Sequence, residues 1–160
     1  MKKYLLLFTL IFSLSATGFG QDYETAGGVR GGFYNGLTIK KFISEKSAFE
    51  GILTSRWVGF NVTGLYELHS MDAFDVDRLN WYYGIGGHLG YYNGSSYSYW
   101  NSSTVTGYAM VLGIDGILGL EYNFEEIPIN VSVDWKPAFN LLGYTGFLGD
   151  GGALSIRYIF

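Results

Sequence analysis

The sequence contains no cysteine and only two prolines among its 160 residues. Without thiols no disulfide can staple the fold, and the chain cannot be a lipoprotein anchored through a modified cysteine. Charge is scarce as well. Asp, Glu, Lys and Arg make up 15% of the chain, against about 25% in soluble domains. A small soluble barrel must cover its whole outside with polar groups, and this composition leaves few to do so. The formal net charge is −4, with none of the basic surplus that a nucleic-acid partner calls for, so no nucleic acid is expected. The apolar run from Tyr4 to Leu14 is shorter than the roughly 20 residues a membrane-crossing helix needs.

That run follows Met1, Lys2 and Lys3 and precedes Gly18-Phe19-Gly20. A basic start, a short apolar stretch and a small-x-small site read as a secretory signal peptide over residues 1–20, with cleavage before Gln21. Residues 21–25 are then a short N-terminal segment, and residues 26–160 form one domain.

Tyr, Phe, Trp and Gly are plentiful, and their spacing is informative. From Tyr108 to Phe124 every second residue reads Tyr108, Met110, Leu112, Ile114, Gly116, Leu118, Leu120, Tyr122, Phe124, while the alternates are mostly small and include Asp115 and Glu121. A side-chain period of two marks an extended strand. A charge-free apolar face with aromatics at both ends is the pattern of a strand crossing a bilayer within a closed barrel.

Seven further alternating runs are present: Ala26–Tyr34, Leu37–Ile43, Ala48–Trp57, Gly59–Leu68, Leu79–Tyr92, Ile129–Lys136 and Gly151–Phe160. Asn35-Gly36 reads as a hairpin turn, with a single bulged strand as the competing reading. His69–Arg78 is a polar connection, Asn93–Val105 the longest polar loop, and Pro137–Asp150 a Gly-rich loop. Even strand counts are the rule in single-chain bacterial barrels. The expected fold is therefore all-β: an eight-stranded antiparallel up-and-down transmembrane β-barrel with a side-chain-filled interior.

This fold can be checked against the charges. Alternation sends Arg30, Lys40, Arg56, Lys136 and Arg157 inward, and likewise Glu50, Glu67, Asp115, Glu121 and Asp134. Only Lys41 falls on an outward strand position, near a strand end where its ammonium could snorkel. An eight-stranded barrel is just wide enough for its own side chains. A balanced set of charges there is expected to form a hydrogen-bonded network, because unpaired buried charge is costly; an ion pathway or catalytic carboxylates is the less favoured reading. Inward glycines such as Gly84, Gly86 and Gly90 are expected to leave room for long Arg and Lys side chains.

Stretches such as Gly28-Val29-Arg30-Gly31-Gly32, Leu79-Asn80-Trp81-Tyr82-Tyr83-Gly84 and Gly116-Ile117-Leu118-Gly119-Leu120-Glu121-Tyr122 carry a resemblance. The chain resembles the small bacterial outer-membrane β-barrel proteins of the OmpA transmembrane-domain and OmpX type, in the form common in Bacteroidetes-type bacteria. The resemblance covers nearly all of Ala26–Phe160 and is a pattern of strands rather than a catalytic signature. It implies outer-membrane lipids and the barrel-assembly machinery as partners, with Tyr158 and the terminal Phe160 as the assembly signal. The anchoring role of a peptidoglycan-binding domain is not carried over.

Other chemistry is sparse. His88 points inward with no serine partner at strand spacing, so a structural lumen histidine is favoured over a lipid A-modifying enzyme. His69 opens a polar connection and is expected to be solvated. Asp72, Asp75 and Asp77 do not have calcium-loop spacing, and the glycines of Gly84–Gly90 do not precede a helix. No metal and no cofactor are expected. Tyr97, Tyr99 and Trp100 lie among serines and asparagines, a mixture suited to a surface-binding loop. The interface preference of these rings makes an aromatic girdle the favoured role. The expectation is a non-enzymatic, monomeric barrel of the bacterial outer membrane supporting envelope integrity or surface interactions through its external loops, with any surface ligand unidentified. A lipid A-modifying enzyme is the alternative, and a soluble ligand-binding barrel the more remote one.

Overall fold

The computed structural model describes residues 24–55, 59–70, 74, 76–93, 108–143 and 145–160. The strands are β1 (Thr25–Gly32), β2 (Asn35–Ser44), β3 (Ser47–Ser55), β4 (Gly59–Ser70), β5 (Leu79–Asn93), β6 (Tyr108–Asn123), β7 (Ile129–Trp135), β8 (Ala138–Leu142), β9 (Gly146–Leu148) and β10 (Gly152–Ile159). Each pairs antiparallel with its neighbour from β1 to β6, and β1 pairs with β10 from Ala26↔Ile159 to Gly32↔Ala153. The sheet thus closes on itself.

The wall has eight strand positions, because β7 and β8 share one and β9 and β10 share another. Both β7 and β8 pair with β6, the first along Leu118–Asn123 and the second along Leu112–Asp115. The break falls at Lys136-Pro137, where proline has no N–H for a ladder, yet the Pro137 carbonyl still accepts a hydrogen bond from Gly116 N at 2.9 Å. Pro137–Asp150 is therefore not the loop its glycines suggest. The upper half of β6 carries backbone donors and acceptors that must be satisfied, and β8, backed by β9, supplies partners.

The first hairpin also differs in detail from expectation. Arg30 pairs with Gly36 and Asn35 with Ser55, so Asn35-Gly36 begins β2 and the turn is at Phe33-Tyr34. Asn35 still serves that turn, its Oδ1 accepting from Gly32 N at 3.2 Å. The bulged single strand is excluded.

Call the end where Thr25, Ser44, Ser47, Ser70, Leu79, Asn123 and Ile159 lie the lower end. Among described strand residues, every charged side chain but Lys41 is buried inside the barrel. The outside is apolar throughout the middle: Val29, Ile39, Leu53, Val62, Ile85, Ile114, Leu118, Val133 and Ile156 are all exposed. Aromatic residues ring both ends. Phe49, Tyr66, Trp81, Tyr83, Tyr122, Phe124, Tyr158 and Phe160 are exposed towards the lower end, and Phe33, Phe60, Tyr91 and Phe147 towards the upper. Several touch in pairs, including Phe49 with Tyr66 and Tyr158 with Phe160.

The interior is not uniformly polar. Ala26, Phe42 and Ala48 form one small apolar layer, and Ile52, Leu65, Tyr82 and Ile117 form another. The space over Gly84 is taken by Glu67 and that over Gly90 by Tyr92, rather than by Arg or Lys. At Gly86 the adjacent strand comes closest: a Cβ there would stand 1.9 Å from the Gly64 carbonyl oxygen. A Cβ at Gly64, which faces outward, would meet nothing within 4 Å. Gly86→Ala is expected to destabilise the barrel by about 1–3 kcal/mol through overpacking, and Gly64→Ala to leave it unchanged or slightly more stable. Urea-unfolding midpoints of the two variants in detergent check this contrast.

Candidate functional site

The lumen brings together side chains that are far apart in sequence, because inward positions of all eight wall strands converge on one narrow space. At mid-height, Arg30 of β1 grips Asp134 of β7 with both terminal nitrogens, Nη1 standing 2.6 Å from Oδ2. A bidentate guanidinium–carboxylate pair is among the strongest charge-assisted arrangements. Tyr82 of β5 donates its hydroxyl to the same carboxylate at 3.2 Å.

Below lies a larger cluster. Lys40 Nζ is 2.8 Å from Glu67, 3.3 Å from Glu121 and 3.8 Å from Glu50. Its ammonium also sits 3.9 Å from the centre of the Tyr82 ring, a cation–π contact strengthened by exclusion of water. Arg157 of β10 donates to Glu50, to Ser132 at 2.7 Å and to Asn130 at 3.0 Å. Asn130 in turn donates to Asn123 at 2.7 Å, and Thr38 donates to Glu50.

His69 belongs to this cluster, contrary to the solvated position expected of it. The strand β4 continues to Ser70, so alternation carries His69 inward after Glu67. Its ring stacks on Tyr82 with centroids 5.0 Å apart and leans on Phe42 at 4.7 Å. A sequence boundary drawn one residue too early conceals the residue.

Above mid-height, His88 Nδ1 is 2.6 Å from Asp115 and its Nε2 is 3.0 Å from Asn140 of β8. Lys136 also donates to Asp115. Gly113 makes the space: a Cβ there would stand 2.4 Å from His88 Cε1. A cavity of about 30 Å³, room for one or two waters, is lined by Arg30, Thr54, Asn61, His88, Tyr92 and Asn140, among others.

Of the residues singled out from sequence, Arg30, Lys40, Glu50, Glu67, His88, Asp115, Glu121, Asp134 and Arg157 are buried in the lumen, and Lys136 lies against Asp115. Tyr158 and Phe160 face outward at the lower end. Arg56, Tyr97, Tyr99, Trp100, Asp72 and Asp75 lie outside the described residues, as do residues 1–20. Among the described residues, no group of three His, Cys, Asp or Glu side chains is arranged to hold a metal ion. Tyr82 and Asn140 were not anticipated. Alternation between Trp81 and Tyr83 would have turned Tyr82 inward, but Asn140 falls in the segment read as loop.

No known family's sequence profile, no curated protein and no solved structure matches the chain.

Removing one partner of a buried pair leaves an uncompensated charge, which costs about 3–5 kcal/mol. Asp134→Leu is expected to destabilise by this order, and the Arg30→Met/Asp134→Leu double variant to recover most of the loss. Denaturant unfolding of the two variants beside the parent measures both effects.

Proposed function

We propose that the chain is a non-enzymatic integral barrel of the bacterial outer membrane, closed by its own side chains, that supports envelope integrity or surface interactions through the loops at its upper end. The observation that carries this reading is the inversion of polarity: charge inside, and an unbroken apolar belt outside between two aromatic rings. Monomeric soluble proteins rarely expose apolar patches of more than a few hundred Å², and here the exposed apolar residues encircle the molecule. A bilayer is the solvent for such a surface, with the aromatic rings at headgroup level. Closure satisfies the backbone groups that hydrocarbon cannot.

The first strand begins and the last strand ends at the lower end, whereas β5 ends at Asn93 and β6 begins at Tyr108 at the upper end, with residues 94–107 between them in sequence. Short turns face the periplasm and long loops the exterior in such barrels, which supports reading the lower end as the periplasmic one. The Lys41 side chain, half-buried near that end, is then at headgroup depth. The filled lumen favours a plug over a pore, with outer-membrane lipids as the principal surroundings and no cofactor.

The second reading, a lipid A-modifying enzyme, is favoured by the His88–Asp115 pair beside the cavity. Against it, His88 Nε2 is already bonded to Asn140, and no serine lines the cavity among the described residues.

Fractionation tests the main reading. The protein is expected in the outer-membrane fraction and to migrate faster on gels unheated than boiled; release as soluble material would overturn the proposal. Ile85→Arg, at the centre of the belt where Ile85 is 66% exposed, is expected to cost about 2–4 kcal/mol of stability in lipid, and Ile127→Arg, beyond the lower ring, near zero. An altered lipid A mass spectrum with His88→Ala would support the enzyme instead.

A further inference from the structure

The lower lumen cluster contains three carboxylates, Glu50, Glu67 and Glu121, against two basic side chains, Lys40 and Arg157, all within 1% of full burial. We infer that this cluster binds one structural proton, held by the Glu67–His69 pair, and that the barrel takes it up on folding.

The geometry at His69 points to this independently of the charge count. Its Nε2 is hydrogen-bonded to Glu67 Oε2 at 3.2 Å, and its Nδ1 stands 3.2 Å from Glu121 Oε1 without the alignment of a hydrogen bond. A neutral imidazole has one N–H and one lone pair. Between two ionised carboxylates, one nitrogen would therefore hold its lone pair within 3.2 Å of a negative oxygen. One added proton removes the conflict in either of two ways. On His69 it gives an imidazolium that faces both carboxylates with N–H groups. On Glu67 it gives an acid that donates to Nε2 while Nδ1–H faces Glu121. The charge of the cluster is the same in both, and it is zero.

Among the described residues, no other group in contact with His69 supplies the missing positive charge. Lys40 and Phe42 from β2, Glu67 from β4, Tyr82 from β5 and Glu121 from β6 face His69, while the turn after β2 offers only the Lys46 carbonyl, which accepts from His69 N. Glu50 of β3 and Arg157 of β10 complete the cluster. Glu67 Oε1, Glu50 Oε2 and His69 Nδ1 are buried without a hydrogen-bond partner among the described residues. His88 is a different case. Asn140 can turn its amide to present either a donor or an acceptor to the His88 Nε2.

Uptake of one proton on folding makes stability fall with rising pH wherever the folded barrel holds the proton and the unfolded chain does not. Free histidine and glutamate are deprotonated above about pH 7, which sets the lower edge of that window. Between pH 7.5 and 9.5 the unfolding constant of the purified barrel in detergent is expected to rise by up to about tenfold per pH unit. Glu67→Gln carries a neutral amide at every pH and is expected to flatten this profile, whereas His69→Gln, which keeps all three carboxylates, stays pH-dependent. Should Glu67→Gln not fold, Glu121→Gln removes the same excess charge and must flatten the profile in its place. A flat wild-type profile, or a Glu67→Gln variant (Glu121→Gln in its place) that keeps the wild-type slope, overturns the inference.

Discussion

Closure of the sheet through the β1–β10 ladder is the constraint on which the rest of the structure depends. Once Ala26 meets Ile159 and Gly32 meets Ala153, each strand has one face towards a confined interior and one towards the surroundings. Alternation along the strand then becomes a sorting rule for the whole molecule. With eight wall strands the interior has no room for bulk water, so inward side chains can be satisfied only by each other. The Arg30–Asp134 grip, between residues 104 positions apart, exists because closure brings the first wall strand alongside the last, β10, whose other neighbour is β7.

Confinement also explains the mixture of residues inside. Charged pairs alone would leave gaps and unsatisfied atoms, and a half-satisfied polar network is costly. Asn123, Asn130, Ser132 and Thr38 supply neutral donors and acceptors around Arg157 and Glu50. Tyr82 joins the levels: its ring contacts Lys40 and His69 below, and its hydroxyl reaches Asp134. Glycines at 113 and 119 provide depth, since a side chain at either would collide with His88 or Tyr82.

Under the proposed function, this interior is a stabilising plug and the exterior meets lipid. The fixed inner network leaves the outer loops free to vary without disturbing the wall. Binding and recognition commonly reside on such loops over a rigid scaffold. The structural proton proposed for Glu67 and His69 would be one more element of that plug, coupling its integrity to pH near the lower end.

Much of the fold was legible in the sequence because strand alternation is a local property. The eight-position wall, the inward set from Arg30 to Arg157 and the apolar belt all follow from a period of two, and the scarcity of charge already spoke against a polar exterior. Segment ends were harder. Asn35-Gly36 has turn chemistry but lies within β2, and the glycine-rich stretch after Pro137 has loop composition but completes the wall, β8 beside β6 and β9 beside β8. Which inward residues touch was not legible at all. It depends on strand stagger and on closure, and no stretch of neighbouring residues encodes the distance between Lys40 and Glu121. The sequence by itself determined which face each side chain takes; only the tertiary structure decided that His69 is enclosed by two carboxylates, because that contact is made across the lumen.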